Sequence, residues 1–103
     1  MARVFIPRSN TGSDGFARTE EAIDHGAVGA AGILEATGAL DVACLAGDPV
    51  WVSPRAALPA GIGIVGARIS AANTLAVTLM NATAAPIDPA AITYDVVVCT
   101  ARI

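Results

Sequence analysis

The feature that most constrains this chain is a two-residue hydrophobic period, repeated in three successive segments between Ile62 and Ile103. The segment IGIVGARIS places Val65, Ala67 and Ile69 on one face. TLAVTLMN does the same with Leu75, Val77 and Leu79, and ITYDVVVCTARI with Tyr94, Val96 and Val98. Side chains alternate across a strand, so this pattern describes strands with one face buried and one face wet. Ser70-Ala71-Ala72-Asn73 joins the first two segments. Asn tolerates a positive φ and bonds its own backbone, so Asn73 suits a tight turn, and the pair reads as an antiparallel hairpin.

Upstream, Leu40, Val42 and Cys44 alternate with Asp41 and Ala43, which predicts a further strand. Ala46-Gly47-Asp48-Pro49 reads as a turn. Val50 and Val52 then face one way and Trp51 the other, before a proline-containing loop over Pro54–Gly61. Beyond Leu79, a connection over Asn81–Pro89 carries Ile87, which is expected to pin it to the core. The Gly- and Ala-rich stretch 26–39 fits a close-packed strand, a weak helix, or an arm that orders on binding. The reading adopted is a strand over Ala31–Thr37.

Residues 1–25 lack this regularity. Ala2 to Ile6 suit a short strand stopped by Pro7, and a polar loop follows over Arg8–Gly15. Phe16 is isolated among polar neighbours, and Thr19–Ile23 suits one turn of helix with its acids early. The expected architecture is all-β: an antiparallel, jelly-roll-like β-sandwich over 26–103 with an extended N-terminal arm over 1–25. Its expected core is Leu40, Val42, Val50, Val52, Ile69, Leu75, Val77, Leu79, Val96 and Val98.

A chain of 103 residues builds one domain around a single core. The chain is 54% hydrophobic but only 4% aromatic, so each side chain buries little area and the domain gains by covering surface against neighbours. All six basic residues are Arg, which fits a coding bias toward Ala and Arg as well as a preference for interface cations. The net charge of −3 and the absence of a basic stripe argue against nucleic acid, and no apolar run has the length of a membrane span. The N-terminus lacks the apolar core of a signal peptide.

No metal-ligand cluster, nucleophile motif or carboxylate pair stands out, so neither an enzyme nor a cofactor is expected. The lone histidine, His25, is read as a surface or interface residue. Cys44 and Cys99 are read as small buried apolar residues in strands, with a bridge between them left open. Asn81-Ala82-Thr83 fits a glycosylation sequon, but no secretory signal accompanies it.

From Gly38 onward a series of turn and loop segments stands out: Gly38-Ala39-Leu40-Asp41, Gly47-Asp48-Pro49-Val50, Ala57-Leu58-Pro59-Ala60-Gly61, Ser70-Ala71-Ala72-Asn73-Thr74, Asn81-Ala82-Thr83-Ala84 and Ile87-Asp88-Pro89-Ala90. Together they resemble a structural β module of tailed bacteriophages and phage-like gene transfer agents. A small chain of this kind is most similar to a head-spike base protein. The segment between Asp41 and Asp48 is shorter than in many such modules, and residues 1–35 fall outside the resemblance.

The resemblance implies a virion protein on the capsid exterior. It implies a homo-oligomer, a pentamer where it sits at a vertex, bound to capsid protein and carrying a spike fibre that contacts the host. The competing reading is a carbohydrate-binding β-sandwich that touches cell-surface polysaccharide directly, and few aromatics are present to serve it. Candidate docking residues are Arg3, Val4, Phe5, Ile6, Arg8, Phe16 and Arg18 of the arm, whose guanidinium groups suit acidic partners, together with Trp51, the only tryptophan. A chain beginning at Gly26 is expected to keep its fold and lose attachment.

The strand phase gives a direct test. Burying a valine contributes about 1.5–3 kcal/mol. Val77→Asp should therefore abolish the folded circular-dichroism spectrum, while Thr78→Asp, on the opposite face, should retain it.

Overall fold

The computed structural model describes residues 15–100. These contain six strands and no helix: β1 (Phe16–Ile23), β2 (Ile33–Ala39), β3 (Val50–Pro54), β4 (Ile62–Ala71), β5 (Thr74–Asn81) and β6 (Ile92–Cys99). They form two antiparallel three-stranded sheets, ordered β1-β6-β3 and β2-β5-β4. Inward side chains of both sheets merge into one core. The two central strands supply most of it: Leu75, Val77 and Leu79 from β5, and Tyr94, Val96 and Val98 from β6, each fully buried.

The expected core is present. Leu40 and Ile69 are buried with those residues, and Val42, Val50 and Val52 pack against them as partly buried neighbours. The hairpin also forms as expected, with Asn73 at a φ of 57°. Val65 departs from the pattern. A register shift between Ile64 and Gly66 inserts a bulge, so Val65 turns outward while Ala67 and Ile69 keep the inward phase.

Three other expectations give way. Thr19–Ile23 makes no helical turn; it belongs to β1, paired along its length with β6. Of the arm expected over 1–25, residues 16–23 are therefore part of a sheet, and Ile23 is a core residue. A chain starting at Gly26 would lose that strand and Ile23, and would expose one edge of β6. Residues 40–49 are a loop rather than a strand. Leu40 and Cys44 still reach the core because backbone and side chain of Asn73 hold the loop down. The Leu40 amide donates to the Asn73 carbonyl (2.8 Å), the Asn73 amide donates to the Cys44 carbonyl (3.0 Å), and the Cys44 amide donates to Asn73 Oδ1 (3.0 Å).

The opposite end of the core is closed by residues 24–32 and 82–91, joined by an antiparallel bridge between Val28 and Ile87. Asn81 organises this end. It is fully buried, and its Nδ2 donates to the carbonyls of Val28 (3.0 Å) and Ala85 (2.8 Å). Its Oδ1 accepts from the amide (2.9 Å) and hydroxyl (2.7 Å) of Thr83. Every polar atom of the amide is thus met, and the sequon asparagine has no free valence toward solvent.

Gly38 and Gly61 answer different needs. At Gly38 a Cβ would stand 3.0 Å from Ile23 Cγ1 and 2.8 Å from the Glu21 carboxylate, so the glycine lets β1 lie close over β2. At Gly61 the backbone takes a φ of 89°, and a Cβ would also overlap the Thr83 methyl. A left-handed backbone costs a non-glycine residue about 1–3 kcal/mol. Gly61→Ala should lower the unfolding free energy by at least that amount, measured by urea unfolding.

Candidate docking surface

Strand alternation decides which side chains leave the core. Because Val96 and Val98 point inward on β6, Val97 and Cys99 point outward. The register then places Phe16 beside Cys99, and both Arg18 and Trp51 beside Val97. Phe16 and Arg18 of β1 and the distant Trp51 of β3, all singled out in the sequence, therefore share one outer sheet face. The rings of Phe16 and Trp51 meet above β6 with centroids 5.8 Å apart and planes at 53°. They remain 43% and 56% exposed, which is high for aromatics already packed on each other. Arg3, Val4, Phe5, Ile6 and Arg8 lie outside the described residues.

The same face turns polar toward the far ends of these strands. Arg55 Nη2 contacts Glu20 Oε2 at 3.1 Å and Asp95 Oδ1 at 2.9 Å, and its Nε donates to the same Asp95 oxygen at 3.0 Å. The Arg55 guanidinium holds the Asp95 carboxyl below its ordinary value, and Arg18 adds to the effect through its field. The face thus has an apolar aromatic end, Arg18 at the boundary, and an ionic end that satisfies itself. Exposed ion pairs of this kind contribute little stability. They do remove charge that would otherwise repel a partner.

The outer face of the other sheet is organised differently. Arg68 forks onto Glu35, with Nε to Oε2 and Nη2 to Oε1 both at 3.1 Å. Glu35 belongs to β2 and Arg68 to β4, so the fork spans β5. It covers Ala76, which is outward-facing in phase yet fully buried. Ile33 and Met80, paired in register, and the bulged Val65 of β4 leave further exposed apolar surface on this sheet, without an aromatic.

A shallow groove of about 650 Å³ runs between the loops that carry Leu58, Pro59, Pro89 and Ala90, with Arg55 and Glu20 at its rim. Its walls are mostly apolar, chiefly alanine and proline with Leu58 and Ile92, and the rim charges are already paired. No group there is poised for acid–base or nucleophilic work. Among the described residues, no cluster of His, Cys, Asp and Glu has the geometry to hold a metal ion. Cys44 and Cys99 are both free thiols, the first buried and the second half-buried beneath the aromatic end.

His25 is a correction to the sequence reading. It is not at the surface but 6% exposed, with Nε2 2.8 Å from the Tyr94 hydroxyl. Tyr94 itself is fully buried, as its strand phase predicts. What sequence reasoning missed is the pairing of Phe16 with Trp51. The signal was weak because the inward side of β1 is Ala17, Thr19 and Glu21 before Ile23, which gives no hydrophobic alternation.

The ring contact is measurable by itself. A double-mutant cycle of Phe16→Ala and Trp51→Ala should return a coupling of about 0.5–1.5 kcal/mol, with all three variants folded. Comparison of the chain with protein-family models, with curated proteins and with solved structures finds no match in any of the three, so its functional reading rests on its own residues.

Proposed function

We propose that this protein is a non-catalytic structural component of a phage-like particle: a head-spike base on the capsid exterior. It docks through the outer face of β1-β6-β3 and supports a fibre that contacts the host. The observation that carries this reading is the gathering of Phe16, Trp51 and Arg18 on one face, with the rings exposed and the cation beside them. Exposed aromatics next to an arginine are what buried protein–protein contacts are built from.

The resemblance of the loop segments to the phage module adds support of a different kind. Several of those segments have structural work in this chain. Gly47 donates its amide to the Ile69 carbonyl (3.0 Å), Asn73 holds the 40–44 loop, Asn81 gathers Val28, Thr83 and Ala85, and Ile87 forms the closing bridge.

The strand order supports the jelly-roll reading of a sandwich. Strand β1 pairs with β6 and β2 with β5, while β3 and β4 flank them in opposite sheets. That nesting is what results when one long hairpin is rolled into two layers. Jelly rolls serve both capsids and lectins, so the fold by itself does not choose between the readings.

On this reading the partner on the docking face is a capsid protein with an acidic, apolar patch facing Arg18. The base is a homo-oligomer, pentameric at a vertex. The carbohydrate-binding alternative is favoured by the same two exposed rings. Their 53° tilt, however, offers a sugar no pair of coplanar platforms.

The test uses particles and the isolated protein together. Phe16→Ser with Trp51→Ser, and separately Arg18→Glu, should remain folded by circular dichroism and drop particle occupancy at least tenfold. In the wild type, emission of the sole tryptophan should shift to the blue on mixing with capsid protein, and should not respond to host polysaccharide. A shift with polysaccharide alone, or full occupancy of both variants, would sink the assembly reading in favour of sugar binding or of another face.

A further inference from the structure

His25 follows β1 and turns into the core beside β6. Its ring meets the Tyr94 ring edge to face, at a centroid distance of 6.0 Å and an angle of 76°. Burial pushes the Tyr94 phenol up to about 12, so its hydroxyl keeps its proton at any ordinary pH. That hydroxyl donates to Nε2 of the neutral imidazole in one tautomer and accepts from it in the other. In both, Nδ1 is buried with no hydrogen-bond partner. A protonated ring carries hydrogens on both nitrogens. Its Nδ1–H would then be a charged donor with no acceptor, and the Tyr94 hydroxyl would have to turn its own hydrogen away into the core.

The position of the ring gives this arrangement a consequence. His25 lies at the start of the 24–32 segment that closes one end of the core, just after Asp24, and Gly26 then turns the chain with its amide on Asp24 Oδ1 (3.2 Å). Beyond that turn, Val28 exchanges two backbone hydrogen bonds with Ile87, at 2.7 and 3.0 Å, and accepts a third from Asn81. His25 and Tyr94 are the side-chain link between the start of this closure and the central strand β6.

We propose that His25 and Tyr94 form an acid-sensitive latch, which holds the 24–32 segment across the end of the core while the imidazole is neutral and releases it on protonation. The groups that face the ring are Tyr94 from β6 and Asp24 from its own segment. Asp24 is the one charge acting on the imidazole, and it favours protonation; burial outweighs it and sets the direction downward. Glu21, the inward acid of β1, lies against Gly38 of β2 and does not contribute.

The sign follows from linkage. The folded-state value is lowered from 6.5, so the unfolded or released segment binds the proton first. The closure is complete above that value and weakens as pH falls through the window below it, by up to about tenfold in the opening equilibrium per pH unit for one proton.

Because the chain has one histidine, its ring signals in a proton NMR spectrum are unambiguous. The ring should titrate with a midpoint below 6.5 in the folded protein. Amide exchange at Val28 and Ile87, corrected for its intrinsic pH dependence, should accelerate as the pH falls from 7 to 5, while the amides of Val77 and Val96 hold. His25→Gln keeps a hydrogen-bonding group toward Tyr94 but cannot titrate, and should abolish that acceleration. A ring midpoint at or above 6.5 in the folded wild type would overturn the proposal, whether or not the variant folds. So would unchanged exchange at Val28 and Ile87, or the same acceleration in His25→Gln.

Discussion

Everything in this molecule hangs from the inward stripes of the two central strands. Leu75, Val77 and Leu79 on β5 face Tyr94, Val96 and Val98 on β6, and no other strand contributes as many fully buried side chains. The outer strands are held by backbone ladders to these two and by what their own inward residues add at the margin. That division sets where change is tolerated. A polar substitution in either central stripe removes the hydrophobic term that offsets chain entropy. Edge strand β1, in contrast, carries Glu21, Thr19 and Ala17 inward with no loss of the layered arrangement. An inward acid on an edge strand also discourages edge-to-edge pairing with other chains.

The small core explains why polar side chains are used as fasteners. With few large apolar residues available, the two ends of the molecule are closed by asparagines. Asn73 binds the 40–44 loop at one end, and Asn81 ties the 24–32 and 82–91 segments together at the other. A buried amide with all its bonds made contributes about 0.5–1.5 kcal/mol net per bond and loses far more if one partner is removed. Such fasteners fix geometry more than they add stability, and they explain why the turn segments of this sequence are more distinctive than its strands.

The parts of the fold that were legible in the sequence are those where alternation and burial coincide. Leu75, Val77 and Leu79, then Tyr94, Val96 and Val98, announce their strands because water on one side and core on the other leave no alternative phase. Asn73 announces its turn through its own chemistry. Strand β1 was illegible for the converse reason. It covers the thin margin of the core, where Gly38 and the Asp41 side chain receive it, the latter accepting from the Thr19 hydroxyl at 2.7 Å. No hydrophobic period is needed there, so none is written. The 40–44 loop misled in the opposite sense: Leu40 and Cys44 reach the core from a backbone fixed by Asn73, which imitates alternation without a ladder. Val65 was assigned inward because a single phase was run through the segment, although the slip from Ile62 and Ile64 to Ala67 and Ile69, with Gly66 between them, is the mark of a bulge. The docking face was half legible: Phe16, Arg18 and Trp51 were each noticeable, but only the pairing of β1 and β3 on either side of β6 makes them neighbours.

The saturation of the Asn81 amide has a consequence for how the chain could be made. The nitrogen that a glycosylation enzyme would modify is the one that donates to both Val28 and Ala85, in a side chain with no exposed surface. A sugar at that atom and the closed end of the core are mutually exclusive. In a secretory host the sequon would thus act as a stopwatch on folding. Molecules that close before the transferase reaches them stay unmodified and native, and molecules reached first are committed to remaining open. The glycosylated fraction would report the race between β5 docking and the enzyme, with the folded product free of sugar.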